Sequence, residues 1–146
     1  MIHDTLTRVS WHARPRSFVA LMALYESNYI RLGSLAGPLA GLSGEYRSSV
    51  PGDCDLVLKV TERSPYTTSF ILTYRLPGDP PEYPDLKGRI YHDAHLVEAQ
   101  EWEPGKASER ELDQRWARNM MLNKWLEYCL ERGHRLSSAT ETAAAR

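Results

Sequence analysis

The sequence is poor in cysteine, in long apolar runs and in net charge, and each scarcity excludes a class of protein. Cys54 and Cys129 are the two cysteines among 146 residues, too few for a disulfide framework and too far apart for a CxxC motif. No apolar run approaches the roughly 18 residues that a membrane span needs. The charged N-terminal segment lacks the apolar core of a secretion signal. We therefore expect a cytoplasmic protein with reduced thiols.

The charge balance gives no reason to expect a nucleic acid or a membrane as partner. Formal net charge is -1, from 18 basic and 19 acidic residues. The chain also has no glycine-rich phosphate loop ahead of a helix and no recognisable nucleophile elbow, so no cofactor is expected. Hydrophobic residues make up 42% and charged residues 25% of the chain, which is typical of soluble globular proteins. The length fits one domain.

Two stretches carry apolar residues at the three- and four-residue spacing of an amphipathic helix. The first helix is predicted over Arg16–Leu35, ahead of a glycine-proline pair that stops it. The second is predicted over Ser108–Arg132, because Ser108 opens a capping box and a glycine follows the last turn. Residues 1–15 are predicted as an irregular lead-in and 134–146 as a disordered tail. The single domain is therefore expected to span 16–133.

Between the helices, alternating apolar and polar residues predict an antiparallel sheet of about four strands. A proline-rich connector precedes the last of them. Alternation in that last strand is imperfect, which predicts a bulge near Asp93-Ala94 or burial of both faces. The fold class is therefore α+β, a small curved sheet with the N- and C-terminal helices packed on one face. The predicted strands are 46–50, 55–63, 66–76 and Lys87–Trp102.

The last predicted strand, KGRIYHDAHLVEAQEW, holds most of the reactive side chains and admits three interpretations. His92, Asp93 and His95 are metal-ligand types, but residues 92 and 95 of an extended strand face opposite sides, so no metal ligand is assigned. The second interpretation is an acid-base pair in which Asp93 or Glu98 tunes His92. The third is a structural histidine satisfied by Asn119 or by a backbone carbonyl.

The apolar stripe of the second helix contains two features that need explanation. Asn119 and Asn123 lie in the middle of the stripe, and a buried amide without partners costs on the order of 1 to 3 kcal/mol. These asparagines therefore either join a polar network with the sheet or line a cavity. Trp116 and Trp125, with two methionines beside them, leave apolar surface that serves core packing or a partner.

Four segments carry a family resemblance: LMALYESNYIRL in the first helix, VTERSPYTT at the hairpin, GRIYHDAHLVEA in the last strand and NMMLNKWLEYCLERG in the second helix. Over about Phe18 to Gly133 the chain resembles the YqiB-like family, a proteobacterial domain of unknown function. His95 stands where the family pattern has methionine or another residue. The resemblance implies no activity, but it implies that polar residues of both helices and two strands belong to one pattern that could meet at a helix-sheet junction. Those residues are Glu26, Asn28, Glu62, Tyr66, Thr67, Thr68, Arg89, Tyr91, His92, Asp93, Glu98, Asn119, Trp125, Tyr128 and Cys129.

These observations favour a non-catalytic binding or regulatory module with a polar pocket or docking site at the helix-sheet junction. Arg89 would offer a charge-assisted fork to a phosphate or carboxylate. The alternatives are a small hydrolase that uses a His-Asp pair, with or without a metal, and a protein-protein adaptor that uses the C-terminal helix. The expected partner is another protein, a second copy of the chain or a small anionic ligand. The candidate residues are Arg89, Tyr91, His92, Asp93, Glu98, Glu62, Tyr66, Asn119 and Asn28.

Overall fold

The computed structural model of the chain describes residues 17–77, 85–100 and 111–138. They contain the helices α1 (Phe18–Ala36) and α2 (Glu111–Glu131) and a short 3-10 turn, Leu39–Gly41. The described strands form one open antiparallel sheet in the order β5-β4-β3-β2-β1-β6, so the α+β class is confirmed. The strands are β1 (Glu45–Ser48), β2 (Asp55–Arg63), β3 (Thr67–Arg75), β4 (Leu86–Tyr91), β5 (Leu96–Ala99) and β6 (Ser137–Ser138).

Helix α1 begins and ends close to its predicted bounds, for reasons that its sequence supplies. The Ser17 hydroxyl accepts the N–H of Ala20 at 3.1 Å and caps the first turn. Gly37 ends the helix with a φ of +78°, and its N–H donates to the carbonyl of Gly33 at 2.9 Å. The predicted lead-in, the N-cap of α2 at Ser108 and the residues from 139 onward lie outside the described ranges. Neither described helix is long and apolar enough to cross a membrane.

The described part of the predicted strand Lys87–Trp102 is a hairpin of two strands, and together with a further strand, β6, it corrects the expected strand count from about four to six. β4 ends at Tyr91, a four-residue turn follows, and β5 begins at Leu96. The predicted bulge near Asp93-Ala94 is the turn itself. His95 completes it with a φ of +55°, a left-handed conformation that suits a tight reversal. The sixth strand, β6, pairs with β1 and had no signal in the periodicity.

Both helices contribute residues to one core cluster with the sheet. Alternate residues of β4 and β5 are buried in this core, as expected for strands with one covered face, whereas three consecutive residues of β2, 56–58, are buried. The fully buried members from the sheet are Leu56, Leu58, Phe70, Leu72, Ile90 and Val97, and those from the helices are Leu32, Leu35, Leu122, Leu126 and Cys129. The opposite face carries the polar residues of β4 and β5.

Candidate functional site

Two buried asparagines cover the outer edge of β5, which is an edge strand. Asn119 Oδ1 accepts the N–H of Ala99 at 2.7 Å, and Asn28 Nδ2 donates to the carbonyl of Val97 at 3.1 Å. Asn28 Nδ2 also donates to Asn119 Oδ1 at 3.2 Å. These side chains pair with backbone groups that an additional strand would otherwise use, and so protect the edge. The structure therefore brings Asn28 and Asn119 together in a structural role.

Asn123 extends the same network along α2. Its Nδ2 donates to Asn28 Oδ1 at 3.1 Å and to Ser27 Oγ at 3.0 Å, while Arg31 Nε donates to its Oδ1 at 3.4 Å. Asn119 Nδ2 donates to a carbonyl of its own helix at 2.8 Å. Every side-chain amide oxygen and nitrogen in the group therefore has a partner. Of the two sequence alternatives, the polar network is the one observed.

Glu98 collects three donors on the face of the sheet away from the core. Tyr25 Oη donates to Oε2 at 2.9 Å, and both Tyr91 Oη at 3.2 Å and Gln100 Nε2 at 3.0 Å donate to Oε1. Burial raises the pKa of Tyr25, and the charge of Glu98 and its hydrogen bond add to the shift. Three of the roughly four acceptor positions of the carboxylate are therefore occupied. The cluster ties α1 to the hairpin.

Arg89 lies in a row of paired residues that crosses four strands, Glu62–Ser69–Arg89–Glu98. Its Nε donates to Ser69 Oγ at 3.3 Å. Neighbouring strands lie about 4.8 Å apart, so Glu98 is one strand away and Glu62 two strands away on the other side. Negative charge on both sides opposes an anion beside this guanidinium. The row therefore gives no support to the predicted anion fork at Arg89.

His92 contacts a hydroxyl and not its neighbouring carboxylate. Its Nε2 lies 2.8 Å from Thr68 Oγ1, and its backbone N–H donates to the carbonyl of Tyr66 at 2.9 Å. Asp93 is exposed on the turn between β4 and β5. The side chain of Tyr66, which directly precedes β3, is also exposed. The geometry matches the structural-histidine interpretation, with Thr68 as partner in place of Asn119. Among the residues that the structure describes, no group of three His, Cys, Asp or Glu side chains could hold a metal ion.

A second polar network, which no sequence pattern indicated, gathers around Asp53. Its Oδ2 accepts from Tyr74 Oη at 2.8 Å, lies 3.0 Å from His134 Nε2 and accepts from Arg132 Nε at 3.3 Å. Its Oδ1 accepts the N–H of Cys54 at 2.8 Å. Burial opposes ionisation of Asp53, but these hydrogen bonds outweigh it and lower the pKa of the carboxyl to about 2. The network joins the turn before β2 to the end of β3 and to the chain after α2.

His134 and Ser48 complete this network in the protein interior. The N–H of Arg135 donates to Ser48 Oγ at 2.9 Å, and His134 Nδ1 lies 2.9 Å from the same hydroxyl oxygen. Serine, histidine and aspartate are also the residue types of a hydrolytic triad. Ser48 is 6% exposed and both of its polar contacts are with other residues of the chain, which indicates a structural role. We call the network of Ser48, Asp53, Tyr74, Arg132 and His134 the lock.

Acidification below pH 4 is expected to weaken the lock. The folded-state pKa of Asp53 is about 2 against an ordinary value of 3.8, so its contribution is complete above about pH 4 and is lost as the pH falls towards 2. Urea unfolding from pH 2 to 6 measures this loss. Asp53→Asn should be less stable at neutral pH by about 2 kcal/mol and should show a shallower acid decline. Asp93→Asn, on the exposed turn, is the matched control, and an acid decline equal to wild type in Asp53→Asn would contradict the assignment.

An apolar groove lies beside the lock, between α2, the end of β3 and the start of β4. The ring of Tyr74 meets Trp125 edge-on at 4.7 Å, and Trp125 stacks on Tyr128 at 5.5 Å. Met121 stands at the groove with 61% of its surface exposed. We call this feature the α2 groove. Its volume is about 610 Å³, and its lining residues are Tyr74, Leu76, Leu86, Met121, Lys124, Trp125 and Tyr128.

The groove offers contact surface and hydrogen-bond donors rather than a reactive group. Burial raises the pKa of the Cys129 thiol to about 12, against a smaller opposing effect of its hydrogen bond with Tyr74, so the thiol stays protonated at neutral pH. Burial and the hydrogen bond to Asp53 also raise the pKa of Tyr74. The indole N–H of Trp125 is buried and has no acceptor within the described part of the chain. Lys124 is the one charged residue among the seven that line the groove.

Comparison with known proteins assigns most of the chain to a known family, but that family has no assigned activity. A family model described as "Protein of unknown function (DUF1249)" matches residues 31–135. The matched segment includes all seven residues of the α2 groove and the Asp53–His134 contact. No curated protein and no solved structure matches the chain.

Proposed function

The chain belongs to this family of proteins of unknown function, and we propose that it is a non-catalytic binding module whose α2 groove holds a small apolar ligand. The observation that carries the proposal is a groove of about 610 Å³ walled by three aromatic side chains. Small-molecule sites typically measure about 300 to 1,000 Å³ and are lined mainly by apolar and aromatic residues. A stable protein interface uses about 20 to 30 residues a side, far more than the seven found here.

The sequence also predicted a non-catalytic binding module, but with a polar site around Arg89 and His92, whereas the site proposed here is the apolar α2 groove. The site lies at a helix-sheet junction, but its walls are apolar, while Asn28 and Asn119 hold the edge of β5. A nearby cleft of about 570 Å³ is more polar, but its carboxylates are engaged, Asp53 within the lock and Asp55 with Ser49 Oγ at 2.8 Å. The cytoplasmic location, the YqiB-like kinship and the proteobacterial origin stay predictions from the sequence.

The two alternative functions gain less support from the geometry. A hydrolase would need His92 and Asp93 to act together, whereas His92 contacts Thr68. An adaptor would need Trp116 and Trp125 on one surface. Trp125 lines the α2 groove, but Trp116 packs against a separate small cluster formed by α1. We therefore retain the small ligand as the occupant.

Titration with the neutral fluorescent probe N-phenyl-1-naphthylamine tests the proposal. We expect saturable binding at one site and a loss of affinity of about tenfold in Met121→Lys, because a charge at the groove removes apolar contact with the probe. Leu112→Lys is the matched control, since Leu112 is also exposed on α2 but does not line the groove. Equal affinity in wild type and Met121→Lys, or the same loss in both variants, would refute the proposal.

A further inference from the structure

We infer that the ligand of the α2 groove is an apolar monocarboxylate, with its hydrocarbon body against the aromatic wall and its carboxylate directed to Lys124. This inference rests on the proposed function of the groove. It specifies that the ligand is negatively charged and carries a hydrogen-bond acceptor, which the apolar lining alone does not determine.

The charge at the groove is positive and readily available. Lys124 is the single charged residue among the described residues that line the groove, and its side chain is 65% exposed. Its Nζ pairs with Glu127 Oε2 at 3.6 Å, an exposed pair of the kind that contributes little to stability. The same carboxylate also lies 3.6 Å from Arg31 Nη2. Glu127 therefore keeps a cationic partner when Lys124 turns to a ligand, so breaking the Lys124–Glu127 pair costs little free energy.

The hydrogen-bonding groups at the groove point to an acceptor on the ligand. The indole N–H of Trp125 is a buried donor with no acceptor in the described residues, an unfavourable state that a ligand oxygen within reach would relieve. The hydroxyl of Tyr128, on the neighbouring wall, is a further group that can donate. The hydroxyl of Tyr74 already donates to Asp53. None of the seven described lining residues carries a carboxylate, so a cationic ligand in the groove would face the ammonium of Lys124 with no acidic group of the lining to bind it.

One cation and neighbouring neutral donors suit a single carboxylate better than a phosphate. A phosphate monoester carries nearly two charges at neutral pH and is usually held by arginine forks or several cations. The rest of the lining is aliphatic or aromatic, which selects an apolar body of the size of a medium-chain fatty acid or an aryl acid.

Calorimetric titration with octanoate, 1-octanol and octylamine tests the inference with ligands of matched length. Octanoate is expected to bind about tenfold more tightly than octanol or octylamine, because one favourable charge contact adds to the shared apolar contact. In Lys124→Met the affinity for octanoate should fall about tenfold while that for octanol is unchanged. Added salt should weaken the binding of octanoate alone. Lys87→Met, an exposed lysine on the opposite sheet face, is the matched control.

The outcomes separate this inference from the function on which it rests. If octanol and octanoate bind equally, or octylamine binds best, and Met121→Lys still weakens all of them, the groove binds apolar ligands and the carboxylate inference is wrong. If Lys124→Met and Lys87→Met weaken octanoate alike, the charge contact is not at the groove, and the inference is again wrong. If neither the naphthylamine probe nor any octyl ligand binds, both the proposed function and the inference are wrong.

Discussion

Asn119→Ala is expected to lower the free energy of unfolding by about 3 kcal/mol, because it leaves two buried donors without their acceptor. The N–H of Ala99 loses its partner at 2.7 Å, and Asn28 Nδ2 loses one of its two partners at 3.2 Å. The substitution also uncovers the edge of β5, and open edges promote association between chains. Urea unfolding followed by circular dichroism measures the first effect, and light scattering of the native protein measures the second.

Lys124→Ala is the matched control for this prediction. It changes an exposed residue five positions further along α2, and its cost should stay below about 0.5 kcal/mol. A loss below about 1 kcal/mol in Asn119→Ala would show that the amide network contributes little to stability. In that case Asn119 would return to the set of candidate ligand-binding residues, because functional polar groups can often be removed without loss of stability.

The parts of the fold that could be predicted are those encoded by local patterns. The apolar spacing of α1 and the caps at Ser17 and Gly37 lie within one continuous segment, so the helix could be placed to within two residues at each end. Strands β2 and β3 are rich in β-branched and aromatic residues and are joined by a short turn, so their antiparallel pairing also follows from neighbouring residues. Each of these features needs information from fewer than about 25 residues of chain.

The hairpin at 92–95 and the strand β6 were missed for physical reasons. Most hairpin turns are signalled by glycine or asparagine, but here His95 takes the left-handed conformation, and its ring stacks on Tyr29 of α1 with centroids 5.1 Å apart. β6 is two residues long, too short for any alternation. Its position depends on His134, whose partner Asp53 is 81 residues away in sequence. Contacts at such separation leave no trace in local periodicity.

The candidate site shows the same division between local and distant information. The asparagines of α2 were correctly predicted to need partners, since an amide within an apolar stripe is visible in the helical pattern. The α2 groove was visible only in part. Trp125 could be recognised as surplus apolar surface, but Leu76, which follows β3, and Leu86, which opens β4, lie on either side of the proline-rich connector in sequence. Only the folded sheet brings these two leucines to the same side of α2.

Gly88→Ala is expected to destabilise the protein by about 3 kcal/mol, at the upper end of the range for overpacking a core. A Cβ atom at Gly88 would lie 2.3 Å from Cζ and 2.7 Å from Cε1 of Phe70. The two residues are direct register partners on β4 and β3, and Phe70 is 1% exposed. Because the aromatic ring is rigid, the overlap can be relieved only if the whole ring or the β4 backbone is displaced. Urea unfolding measures the cost.

A double-mutant cycle with Phe70→Leu identifies the source of that cost. Leucine lacks the Cζ and Cε atoms that would overlap the new methyl group, so Gly88→Ala should cost less in the Phe70→Leu background, with a coupling energy of about 2 kcal/mol. Gly41→Ala is the control, because a Cβ there meets no atom within 4 Å. If Gly88→Ala costs the same in both backgrounds, the penalty belongs to the β4 backbone. The reduced cost would instead show that glycine stands in β4 because the aromatic ring on the next strand fills the space of its missing side chain.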